Sequence, residues 1–132
     1  MKTLLAFLCN SAIVDQAGNV SALGIYFSIY SPFFPFNIAP VTLVAVLQGD
    51  ENDVGHHSAQ INMLSSTGDR IVSPINCSFS IANRVILTLI ATFQNLLVPA
   101  SGKYVVNVVV DNGLLIENVP LVVRQTGQGV CN

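Results

Sequence analysis

Turn-forming residues interrupt the apolar runs of this chain roughly every ten to fifteen residues, and that spacing limits what it can fold into. The interruptions fall at residues 15–19, at Pro32, Pro35 and Pro40, and at residues 49–55, 66–69, 99–102 and 111–113. The pieces between them have strand length. Residues 41–47 are β-branched and nearly continuous, as expected of a strand buried on both sides. Residues 58–63 alternate polar and apolar, the period of a half-exposed strand. Residues 71–79 read as one more strand, broken or bulged at Pro74, and Pro120 marks the last run as an edge strand or a bulged one. Asn112-Gly113 between two apolar runs signals a hairpin.

Residues 81–98 admit a buried helix on periodicity alone. Val85, Ile86, Thr88, Ile90 and Thr92 favour strand, because branched side chains lose rotamers in a helix. The longest apolar stretch, 85–93, ends at Gln94 and Asn95, well short of the ~20 residues of a membrane span. No segment carries a sustained helical period, a repeat or a heptad. The expectation is a single all-β domain over residues 1–132, an antiparallel β-sandwich of about eight strands, immunoglobulin-like or a related Greek key. Tyr104 follows a Pro-containing corner at the start of a strand, the position of a tyrosine corner. The immunoglobulin disulfide and core Trp are absent.

Charge is sparse. Only 9 % of the 132 residues are charged, against about 25 % in ordinary domains, and the net charge is −2. That balance excludes a basic nucleic-acid footprint and attraction to an anionic membrane. The surface is instead left to Asn, Ser, Thr and Gln, 35 residues in all, which keep a protein soluble but repel neighbours little. The first residues imitate a secretory signal, yet the apolar run 4–8 is shorter than the 7–15 residues of an h-region, so a first core strand and a cytoplasmic location are expected. Cys9, Cys77 and Cys131 fit neither a zinc spacing nor a disulfide framework, and Cys131 is expected to be the most exposed.

Two clusters are candidates for function. Residues 50–57 gather three of the seven carboxylates and both histidines, and Asp53, His56 and His57 are possible ligands for a metal or small molecule. The spacing matches no metal motif, and adjacent strand residues such as His56 and His57 point to opposite faces. The other cluster holds six of the ten aromatics within residues 26–36, with Tyr30, Phe33, Phe34 and Phe36 as a candidate contact surface stiffened by Pro32 and Pro35. No basic residue lies between Lys2 and Arg70, so stacking on nucleic acid is not expected there. There is no nucleophile elbow and no phosphate-binding glycine loop.

Leu8-Cys9-Asn10 with Asp15, Gly18 and Leu23-Gly24, then Phe34-Pro35, Gly55-His56 and Gly68, and finally Pro99, Gly102, Tyr104 and Asp111, form a pattern across most of the chain. It resembles a family of small uncharacterised bacterial proteins, a domain of unknown function for which a β-sandwich is expected. The resemblance implies a fold and supplies no activity. The sequence therefore leads to a non-enzymatic structural or interaction module that self-associates as a homo-oligomer, with a protein partner possible and no nucleic acid, membrane or cofactor expected. The alternative is a ligand- or metal-binding sandwich using residues 50–57.

Overall fold

The computed structural model describes residues 1–38 and 40–125. Its strands are β1 (Lys2–Cys9), β2 (Ser11–Val14), β3 (Val20–Leu23), β4 (Ser28–Ser31), β5 (Phe36–Ile38), β6 (Val41–Gln48), β7 (Gly55–Leu64), β8 (Ile75–Ile81), β9 (Ile86–Phe93), β10 (Leu96–Val98), β11 (Gly102–Val110) and β12 (Leu114–Gln125). One 3-10 turn, Glu51–Asp53, precedes β7. No described helix is long and apolar enough to cross a membrane. The expected Cys131 lies outside the described residues.

A three-stranded sheet, β1-β6-β9, faces a five-stranded sheet, β4-β12-β11-β7-β8. Strands β1, β6 and β9 take the places of A, B and E of an immunoglobulin-like sandwich, and β7, β11 and β12 those of C, F and G. Period-two alternation makes the core. Leu43, Ala45 and Leu47 of β6 meet Ile61 and Met63 of β7 and Val106 and Val108 of β11, all fully buried. The odd-numbered residues of β6 point inward, and Val44, on its outward face, is buried as well. The central strand is thus covered on both sides, as its continuous apolar sequence requires.

The two main sheets hold the expected eight strands, but four short strands lie outside them and the antiparallel description was incomplete. Twelve strands occur among the described residues, because short segments pair outside the two main sheets. β2 and β3 form a hairpin whose turn is closed by Asp15 Oδ1, which accepts from the amides of Ala17 and Asn19, both at 2.9 Å. β5 and β10 continue the β6–β9 ladder in unbroken register, from Val41↔Phe93 to Ile38↔Leu96, across the interruption that Pro40 imposes by lacking an N–H. β4 pairs in parallel with β12, because the chain crosses to the second sheet after Tyr26 bridges Leu8 of β1. Residues 81–98 are strand outside their turns, in β9 and β10. Pro74 precedes β8 and does not bulge it. Pro120 pairs with Val105, and at that point β12 has no neighbour on its other side, since β4 joins only from Val122.

The hairpin between β11 and β12 is closed by Asp111 and Asn112, at φ 53° and 61°, with Gly113 N–H donating to Val110 O. Two central residues at positive φ make a type I′ turn, whose twist matches that of the strands. The sequence signal placed the hairpin correctly, but its central pair is Asp-Asn and not Asn-Gly. The tyrosine corner forms: the buried Tyr104 hydroxyl donates to Ala100 O at 2.6 Å, tying the corner before β11 to the strand. Tyr104→Phe keeps the ring and strands the Ala100 carbonyl, so urea unfolding should show a loss of about 1–2 kcal/mol with an unchanged m-value.

Candidate functional site

The outward faces of the two sheets differ in chemistry. On the five-stranded sheet, Asn62, Asn107 and Asn118 lie side by side across β7, β11 and β12. Asn62 Nδ2 donates to Asn107 Oδ1 at 2.9 Å, and Arg70 spans Asn62 Oδ1 and Gln60 Oε1, each at 3.1 Å. Ser58, Ser78 and Ser80 extend this neutral polar face. On the three-stranded sheet the register aligns Phe7, Val44 and Ile90 in one row and Leu5, Val46 and Thr88 in the next, with Ile86 beyond. Alternation with the core residues turns all of these outward. Leu5 is 55 % and Ile86 56 % exposed. The side of a sheet away from the core is ordinarily polar, and here its middle is largely apolar, between Lys2 and Gln48 at one end and Thr42 and Thr92 at the other.

The aromatic segment divides. Phe34 and Phe36 are half-buried, pack against the core and meet edge to face with ring centroids 5.5 Å apart. Tyr30 on β4 (61 %) and Phe33 just beyond it (65 %) are exposed, as is Phe27 just before the strand. The four residues expected to form one contact surface therefore do two jobs, two of them closing one end of the core. The turn between them is held by Ser31, whose hydroxyl donates to Phe33 O at 2.8 Å.

The residues of the acidic segment do not converge. His56 points outward, with Nδ1 2.8 Å from Ser80 Oγ on an open, solvated face, and no carboxylate orients it. His57 points inward and stacks on Phe79, centroids 5.6 Å apart. Its Nδ1 lies 2.6 Å from Asp111 Oδ2 and its Nε2 2.5 Å from Asp53 O. Asp111 Oδ1 in turn accepts from Ser58 N–H at 3.1 Å. The Asp53 carboxylate accepts from the Asp50 amide and lies 2.7 Å from the Met1 ammonium, and that ammonium first, then the Asp50 amide, holds it below the usual carboxylate range. Among the described residues, no group of three or more His, Cys, Asp or Glu is arranged to hold a metal. A shallow depression of about 170 Å³ lies between Ser58, Gln60, Asn76, Ser78 and Asn112, and a wider, open one of about 510 Å³, within the ~300–1,000 Å³ typical of ligand sites, lies between Met1, Lys2, Gln48, Asp50 and Arg84. Burial pushes the Cys9 and Cys77 thiols up, away from the reactive thiolate.

Sequence reasoning selected His57 but missed Asp111 as its partner, 54 residues away. The pairing depends on β7 lying beside β11, and no local motif carries that information. Oxygen acceptors at both ring nitrogens favour the protonated form of His57, because a neutral ring turns a lone pair toward one of the two oxygens. The Asp111 carboxylate first, then the Asp53 carbonyl, raises its pKa, and the imidazolium lowers that of Asp111. A raised histidine pKa contributes stability that is complete below the unfolded value, about 6.5, and lost as pH rises through the folded value. Asp111 contributes above its unfolded value, about 3.9, and loses that contribution as pH falls through its lowered one. The thermal midpoint should therefore decline on the alkaline side as His57 deprotonates, and His57→Gln should flatten that limb. In a ring-proton NMR titration, Asp111→Asn should bring the His57 midpoint down, and an unchanged midpoint would contradict the pairing.

None of the curated proteins matches the chain. A family model matches residues 4–124, which span both sheets, the tyrosine corner and the His57–Asp111 pair. The chain belongs to this family of unknown function, DUF6941.

Proposed function

We propose that this chain is a non-enzymatic β-sandwich module that acts by self-association. The observation that carries the reading is the apolar outward face of the three-stranded sheet. Contiguous exposed apolar surface marks an interaction site, and scattered single residues do not. By strand register the exposed Leu5, Ile86 and Ile90 surround the half-buried Phe7 and Val46. A net charge of −2 supplies little electrostatic repulsion between copies. The exposed Tyr30 on β4 and Phe33 just after it add a second aromatic surface for a partner.

Binding of copies fits the side chains better than catalysis does. Both nitrogens of His57 are engaged, with Asp111 Oδ2 and Asp53 O, so neither is turned toward solvent or a substrate. His56 and Ser80 make a hydrogen-bonded pair, but they lie on an open face with neither a cleft nor a third group to orient the imidazole. The arginine on that face, Arg70, is already committed to Gln60 and Asn62.

Size exclusion with light scattering should return a mass above the 14.1 kDa of one chain, rising with loading concentration. A strict monomer at every concentration would sink the reading.

A further inference from the structure

The two sheets leave several strand edges, and all but one are blunted. Unpaired edge strands invite pairing with another chain, and proteins guard them by shortness, bulges, charge, proline or cover. β4 is four residues long and runs into Pro32. β1 has a register shift between Thr3 and Leu5, and Tyr26 bridges Leu8 at its far end. β8 follows Pro74 directly and turns Asn76, Ser78 and Ser80 toward solvent. β9 has none of these protections. It pairs with β6 over all eight residues without a shift, and β6 is its one neighbour among the described residues. It contains no charge, proline or glycine. Ile86, Thr88, Ile90 and Thr92 face outward, while Leu87, Leu89, Ala91 and Phe93 face the core.

We propose that the β9 edge pairs antiparallel with the β9 edge of a second copy of this chain about a two-fold axis, joining two three-stranded sheets into one of six strands. The proposal rests on the self-association reading and specifies its geometry. A second copy suits this edge for three reasons. A two-fold brings β9 to itself antiparallel, the stronger of the two ladder types. With no charge on the strand, two copies meet without like-charge repulsion. The nearest charge, Arg84, ends up at opposite ends of the paired ladder, far from its symmetry mate. The two-fold also preserves the inside–outside alternation, so isoleucines and threonines oppose one another on the outer side, a favourable cross-strand combination. The apolar faces that hold Leu5, Phe7 and Val46 then run on into one another.

The contact is small. Eight residues at ~3.3 Å per residue give a ladder about 26 Å long. At a sheet thickness of ~10 Å it covers a few hundred Å² per partner, below the ~800 Å² of a standard stable interface. The dimer is accordingly reversible and depends on concentration.

The test combines hydrogen exchange across a concentration series with two surface variants. Half the β9 amides point away from β6, and these should gain protection as concentration rises. Ile90→Lys, at a position 37 % exposed, should weaken dimerisation by about tenfold or more by placing a charge beside the seam. Leu23→Lys, on the β2–β3 hairpin away from β9, should leave it within about twofold of wild type. Dimerisation that survives Ile90→Lys, with β9 exchange independent of concentration, overturns the edge pairing and leaves self-association standing. Loss of the dimer in Ile90→Lys without β9 protection assigns the contact to the sheet face and also overturns the edge. A monomer throughout removes both readings. If Ile90→Lys does not fold, the exchange series on the unaltered chain decides alone.

Discussion

Packing between the inward faces of β6, β7 and β11 holds the molecule together, and it sets the direction of every other side chain. Leu43, Ala45 and Leu47 fix which residues of β6 point inward, and the β1–β6 and β6–β9 registers carry that parity outward to Leu8, Leu89 and Ala91. A slip of one residue would exchange the faces of a strand completely. On the opposite sheet, Ile61 and Met63 impose the same discipline on β7, which turns His57 in and His56 out. The chemistry of the two histidines thus follows from the packing of residues that have no chemistry of their own.

That parity also explains how so few charges suffice. The five-stranded sheet presents a row of asparagines to water, of which Asn62 and Asn107 bond across strands, and Arg70 serves two amides in place of a carboxylate. Neutral amides hydrogen-bond in any orientation and carry no desolvation penalty as large as that of an ion. They also provide no long-range repulsion. The opposite outer face has a single amide, Gln48, at its end. The molecule therefore has one outer face of amides and hydroxyls and one that is largely aliphatic.

The strands were legible because each is bounded by residues with a mechanical role. Asp15 closes an Asx turn, Pro40 cuts a ladder, and Tyr104 ties a corner. The short pairs β2–β3 and β5–β10 were not, since three- and four-residue strands leave too little alternation to detect. The parallel pairing of β4 depends on a chain crossing that no local pattern encodes. For the site, sequence gave the opposite pointing of His56 and His57 from strand period alone. It could not give Asp111 as the partner of His57, or divide the aromatic segment, because both follow from which strands are neighbours. The apolar outer face had the same obstacle: Leu5, Val46 and Ile86 are each unremarkable until the register sets them side by side.

Pro120 has an effect that reaches beyond its own strand. Because it has no N–H to offer, the parallel ladder between β12 and β4 starts downstream of it, where Val122 N–H donates to Phe27 O. Tyr26 is thereby left to pair with Leu8 on the other sheet, and within two residues the backbone is bonded first to one sheet and then to the other. Those bonds bind one long side of the sandwich like the spine of a book. Along the other side, β8 and β9 are joined by the short connection 82–85 and share no ladder among the described residues. Any partial parting of the sheets hinges on the spine at Tyr26 and opens the leaf at β9.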